Sequence, residues 1–324
     1  MKTVRIKFVD FWANFDVKNN EILSILKKYY QVEFSDTPDY LFYSCFGDEY
    51  LRYSCIRIYF TGECLVPDFN ECDYAIGFDR LTFGDRYARI PLFSIFNSRN
   101  KYLQLKNRQP ITLKDIENRD FCSFVVSNGA AKEDRVGFFE QLGQYKFVAS
   151  GGRYRNNVGG AVKDKNAFLQ KYKFNIAFEN CSHDGYCTEK ILDAFAARVV
   201  PIYYGDPRIA EDFNPKAFVN VHEFPSMDAV IEHVKMLDNN PNLYLQMLNE
   251  PVVQPNAGVA DLEDFVLHIF EQPLQQAWRR SRSQRSLAIE SAKLGGSEPE
   301  SKQTVSVRSE IKKIIRFIKH NLRS

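Results

Sequence analysis

From Phe174 to Gly205 the sequence passes through a strand-like run, a polar loop, a helical pattern and a second apolar strand, and that order restricts the fold more than any other feature. Two strands joined through a helix lie parallel, and the loop after the first falls at the carboxyl edge of the sheet, where open α/β sheets bind ligands. The same alternation runs through most of the chain. Val4–Val9, Tyr40–Phe46, Ile56–Phe60 and Asp73–Ile76 read as strands and Glu21–Tyr29 as a helix. After a polar stretch at Lys101–Pro110 the pattern restarts. Phe121–Val126, Lys146–Ala149, Phe174–Phe178 and Val199–Tyr203 read as strands, and Lys132–Leu142, Lys165–Tyr172 and Glu189–Ala197 as helices.

A length of 324 residues suits two such domains. The expected architecture is α/β, with two Rossmann-like, doubly wound domains facing a cleft, residues 1–110 and 111–275, joined near 105–118. Met227–Leu237 and Leu262–Phe270 have helical periodicity and should close the second domain. Residues 276–304 turn to Ser, Gln, Arg, Gly and Glu, the composition of a polar linker. Residues 305–324 regain a helical rhythm: Ser306 serves as N-cap, Val307, Ile311, Ile314, Ile315, Ile318 and Leu322 share a face, and Arg308, Lys312, Lys313, Arg316, Lys319 and Arg323 fill much of the rest. That is the pattern of a helix lying in an anionic membrane surface, or of one packed on the body or a second chain.

Apolar residues make up 44% and charged residues 26% of the chain, which excludes global disorder. Arg5 and Lys7 interrupt the N-terminal apolar run, so it does not read as a signal segment, and no stretch approaches the ~18 apolar residues of a membrane span. The seven cysteines form an odd set with no C-x-x-C pair, and the expectation is a reducing cytoplasm. Net charge is +2, yet from Trp278 onward twelve Lys/Arg face four Asp/Glu, so an acidic body carries a basic tail. The acidic body and the lack of a reader motif argue against nucleic-acid binding.

In the Phe174–Gly205 unit, Thr188 stands as N-cap, which puts Glu189 and Lys190 in the first turn of a helix. Free N–H groups, the helix dipole and the Lys190 charge suit a diphosphate. The same two residues also fit an ordinary first-turn acid and a solvated lysine. No G-x-G-x-x-G, no G-x-x-x-x-G-K-[ST] and no D-x-D occurs. A leaving diphosphate would therefore rely on cationic side chains and helix ends.

Phe178-Glu-Asn, Tyr186-Cys-Thr-Glu-Lys190 and Val200-Pro-Ile-Tyr-Tyr-Gly205 resemble the F-E-N…Y-V-T-E-K…V-P-[VI]-Y-W-G signature of the α-1,3/4-fucosyltransferases, glycosyltransferase family 10, and most of all its bacterial members. Tyr59-Phe-Thr-Gly-Glu63, Asp73-Tyr-Ala-Ile-Gly-Phe-Asp79, Asp85-Arg-Tyr with Arg89-Ile-Pro91, and the Gly151-Gly-Arg to Gly160 segment echo the same family. The resemblance covers roughly residues 55–225, with Tyr204 where Trp is usual and Cys187 where Val is usual.

The resemblance implies a GT-B-like fold, an acceptor site in the N-terminal half, GDP-fucose in the C-terminal half, and inversion at the anomeric carbon. Glu63 matches the family's general base, Arg135 and Lys190 the cations on the diphosphate, Asn180 and Tyr186 donor-binding positions, and Glu189 a residue on the fucose hydroxyls. No cofactor is implied beyond the donor, and no metal site; a divalent ion such as Mn²⁺ would stimulate at most. Galβ1-4GlcNAc or Galβ1-3GlcNAc acceptors of surface glycan are implied as partners, with the chain on the inner face of the cytoplasmic membrane. The competing reading is a membrane-docked nucleotide-sugar or glycan-binding protein without catalysis. His183 has no matched role and reads as an exposed loop residue, while Glu179 reads as structural.

Overall fold

The computed structural model describes residues 1–95, 97–127, 129, 135–255, 257–281 and 293. The first domain contains β1 (Thr3–Val9), α1 (Glu21–Tyr29), β2 (Gln31–Phe34), β3 (Tyr40–Tyr43), β4 (Ile56–Phe60), β5 (Tyr74–Gly77) and β6 (Tyr87–Arg89), followed by α2 (Asn97–Leu105). The second contains β7 (Asp120–Phe124), α3 (Arg135–Gly143), β8 (Val148–Ser150), α4 (Lys165–Leu169), β9 (Tyr172–Phe178), α5 (Glu189–Ala196), β10 (Val200–Tyr204), β11 (Val219–Asn220), α6 (Met227–Asp238) and α7 (Pro241–Asn249). Two further helices follow, α8 (Leu262–Glu271) and α9 (Leu274–Ala277).

Both sheets are parallel. The first runs β2-β1-β3-β4-β5-β6 and the second β8-β7-β9-β10-β11, so each reverses direction after its first strand. That reversal opens a crevice at the carboxyl ends of β1 and β3 in one sheet, and of β7 and β9 in the other. The central strands are buried along their whole length, as in Tyr40–Tyr43 and Ile56–Phe60, because helices or loops cover both faces. Local signals set the ends: the Asn20 side chain accepts from Leu23 N–H at 2.9 Å, and Lys27 and Lys28 occupy the last turn of α1.

Three expectations are corrected. The polar stretch around Lys101 is helical, since Tyr102 and Leu105 of α2 pack with Phe93, Ile191, Phe195 and Phe213. The chain therefore passes to the second domain before α2 rather than near 105–118. Leu262–Phe270 does not close the second domain. Leu262, Val266, Ile269 and Phe270 of α8 join the core of the first, and Phe270 stacks on Tyr40 at 4.0 Å. The return crossing is laced to the outgoing one, with Ala260 N–H donating to the Arg89 carbonyl at 2.9 Å. Finally, the start of the expected linker is docked: Arg280 is buried, pairs with Asp73 at 3.1 Å and donates to the Cys55 carbonyl at 2.7 Å. The remainder of 282–304 apart from Lys293, and the basic helix at 305–324, lie outside the described residues. No helix among the described residues is long and apolar enough to cross a membrane.

Candidate active site

The crevice between β7 and β9 collects the charged groups of the second domain. β9 ends at Phe178, and Glu179 follows it fully buried. A buried carboxylate must find donors. Glu179 accepts from the Thr188 N–H at 2.8 Å, from the Thr188 hydroxyl at 2.7 Å and from the Lys190 ammonium at 2.7 Å. Thr188 does sit at the N-cap of α5, but its hydroxyl serves Glu179 and makes no cap bond to the helix. Gly205 leaves room for this carboxylate, because a Cβ there would lie 2.5 Å from Glu179 Cγ.

Burial works against the Lys190 charge, yet Glu179 and Glu189 outweigh it and the pKa is raised. Lys190 stays an ammonium. Arg135 opens α3 on the other side of the crevice, is 1% exposed, and donates from Nη1 to Asn180 Oδ1 at 3.0 Å. Burial lowers its pKa and Glu179 opposes the shift, but a guanidinium stays charged through such a change. Arg135, Asn180, Glu189 and Lys190 are thus brought together. Two cations and one helix N-terminus converge where an anion can sit.

The first domain meets this crevice along a polar seam. Glu63 is exposed in the loop after β4, its N–H donating to Thr61 Oγ1 at 3.0 Å, and its carboxylate takes no hydrogen bond among the described residues. The next residue, Cys64, is joined to Cys181 of the opposite loop. No C-x-x-C pair signals this pairing in the sequence, because its two residues are 117 positions apart. Tyr186 is 2% exposed and packs edge-on against Phe78 at 5.1 Å. Burial raises its pKa, with Glu179, Glu63 and Glu189 adding to the shift, so these carboxylates all lie within Coulomb reach of one phenol. His183 is not simply exposed; its Nε2 meets Asp79 at 2.9 Å across the seam. Gly185, at φ +80°, passes so close that a Cβ would lie 2.3 Å from the Phe78 carbonyl.

Arginines hold the domains together. Arg80 contacts Asp184, Asp206, Glu211 and Asp212 at 2.8–3.0 Å, and Arg89 grips Asp212 through two nitrogens at 2.6 and 2.9 Å.

Residues 6–96 match the family model for the alpha-(1,3)-fucosyltransferase FucT N-terminal domain, and residues 117–249 the model for the C-terminal part of glycosyltransferase family 10 (fucosyltransferase). The chain belongs to glycosyltransferase family 10. Within this fucosyltransferase family it is 37% identical over 286 residues to alpha-(1,3)-fucosyltransferase FucT of Helicobacter pylori, covering 76% of this chain and 60% of that protein. The chain therefore spans less than two thirds of that relative. A crystal structure of an alpha1,3-fucosyltransferase superposes with a TM-score of 0.72 at 32% identity, over 85% of this chain and 90% of the other. One with GDP-fucose gives 0.67 at 30% identity, over 94% of each.

Glu179, Arg80 and Arg89 are the site and seam residues that sequence reading passed over or left without a role. Glu179 had a signal, since a glutamate directly after a buried strand and before a helix N-terminus is placed to orient that terminus. Arg80 had none: its four partners come from scattered positions in the other domain.

Proposed function

We propose that this chain is an inverting α-1,3/4-fucosyltransferase that moves L-fucose from GDP-fucose to the GlcNAc of Galβ1-4GlcNAc (at O3) or Galβ1-3GlcNAc (at O4) termini, in surface glycan such as lipopolysaccharide O-antigen. The observation that carries the reading is the convergence of Arg135, Asn180, Glu189 and Lys190 at the β7–β9 crevice, with the Glu63 loop fastened against it.

In this reading GDP lies in that crevice with its diphosphate between Arg135 and Lys190, the latter held by Glu179. Glu63 takes the proton of the acceptor hydroxyl as its oxygen attacks the anomeric carbon. The C1–O bond to the diphosphate breaks on the opposite face, and the charge passing to GDP falls to the two cations. Glu189 faces the positive charge building on the sugar ring. Tyr186, buried against Phe78, shapes the wall between donor and acceptor. The test is incubation with GDP-fucose and a panel of type 1 and type 2 disaccharides, with products analysed by linkage. Binding of GDP-fucose without transfer to any acceptor would favour the non-catalytic binding protein instead.

The basic pattern at 305–324 supports docking on an anionic membrane, each basic residue contributing about 1 kcal/mol. A chain ending near Ser301 should keep transfer to small acceptors and stop sedimenting with anionic vesicles at low salt. Equal partition of both chains would favour a tail packed on protein.

A further inference from the structure

Five of the seven cysteines are free, and Cys55, Cys72, Cys122 and Cys187 are buried. Burial pushes the Cys55 and Cys72 thiols up to about 12, so they stay protonated and inert. Cys64 and Cys181 are placed differently. They come from different domains, 117 residues apart, with their sulfurs joined and their Cα atoms 7.0 Å apart. Cys64 directly follows Glu63, and Cys181 directly follows Asn180, the residue that holds Arg135. Cys64 is partly open to solvent and Cys181 is 8% exposed. The ion pairs of Arg80 and Arg89 fasten other segments of the seam, which leaves this pair as the covalent link between the two working loops.

We infer that Cys64 and Cys181 are a redox-operated latch on the cleft, shut as a disulfide and open as two thiols. The more accessible Cys64 thiolate attacks a small disulfide oxidant of the glutathione type, forming a mixed disulfide and releasing one thiol. Cys181 then attacks the Cys64 sulfur and expels the second. Two protein thiols become one disulfide, and the oxidant is reduced to two thiols. Reductant runs the sequence backwards. Shut, the latch ties the Glu63 loop to the donor loop and hinders the domain opening that product release needs. That last consequence rests on the fucosyl-transfer reading, whereas the latch does not.

The test equilibrates the full chain in glutathione buffers from reduced to oxidised, blocks free thiols by alkylation and maps peptides by mass. A Cys64–Cys181 cross-linked peptide should grow with the oxidised fraction. Amide hydrogen exchange over residues 61–67 and 180–186 should slow by about threefold or more in the cross-linked state, as expected when local opening is restrained. Cys64→Ser and Cys181→Ser should each remove that redox dependence. With donor and acceptor present, kcat should fall on oxidation in the natural chain and stay level in Cys64→Ser. Alkylation of both residues after oxidation overturns the proposal, and so does a cross-link that changes neither exchange nor kcat. A chain that cross-links with slowed exchange but transfers no fucose in either state upholds the latch and refutes the fucosyl-transfer reading.

Discussion

The Lys190 ammonium meets the Glu179 carboxylate at 2.7 Å, the one 18% exposed and the other wholly buried. Glu179 is thus the positioning residue that keeps a cation at the mouth of the crevice and ties down the threonine before α5. Glu179→Gln preserves size and one acceptor oxygen but leaves Lys190 with only Glu189 as counter-charge. Unfolding free energy should drop by about 3 kcal/mol, the low end for breaking a buried pair because Lys190 keeps some solvent. The Lys190 pKa should fall, so GDP binding followed against pH should weaken at lower pH than in the natural chain. An unchanged pH profile would separate Glu179 from the site.

Glu63→Gln should lower kcat by about 10²–10⁴-fold, the usual cost of removing a general base, with GDP affinity by calorimetry unchanged. Near-normal kcat would move the base elsewhere.

Arg135→Ala and Lys190→Ala should each weaken GDP as much as GDP-fucose, by about tenfold or more, because in the proposed reading both act on the diphosphate and not on the sugar. Transfer should survive EDTA. Loss of activity in chelator, restored by Mn²⁺, would refute this second expectation.

Arg89→Met strips the bidentate partner from Asp212, which is 1% exposed on its side chain. Denaturant titration should show a loss of about 2–4 kcal/mol, moderated because Arg80 still contacts Asp212. The double variant with Asp212→Asn should recover part of that loss, since no bare buried charge then remains.

Asp238 supplies a pH test. Burial would raise its pKa, but Lys146 and Lys173, at 2.5 and 2.8 Å, lower it overall. A carboxyl depressed in the folded state adds stability above its unfolded value, and that share is lost as pH falls through the folded value. The natural chain should therefore lose stability more steeply than Asp238→Asn on acidification below about pH 4. Parallel melting curves for the two would contradict the assignment.

Much of both domains was legible because their strands are short, apolar and bounded by polar loops. Glu21–Tyr29 and Ile56–Phe60 fall at the expected residues, and α5 begins at Glu189 behind its expected N-cap. The edge strand β2, exposed at Gln31, Glu33 and Phe34, carried no apolar run to find. α8 could be read as a helix but not assigned to a sheet, because periodicity reports a buried face and not what buries it. The clustering of Arg135, Asn180 and Lys190 came from resemblance, since these residues lie up to 55 positions apart in sequence. The pairings Cys64–Cys181, Asp79–His183 and Arg80–Asp206 exist only once the domains are docked, and no local pattern encodes them.

The two crossings between the domains, laced where Ala260 meets Arg89, form a ribbon instead of a single thread. A thread lets one body swivel in any direction about another. A two-stranded ribbon bends about the line across its width and resists torsion, so hinge motion is confined to one angular coordinate. The proposed displacement at the sugar carbon needs nucleophile, carbon and leaving group on one line, and a hinge with a single angle would return to the same alignment each time it closes.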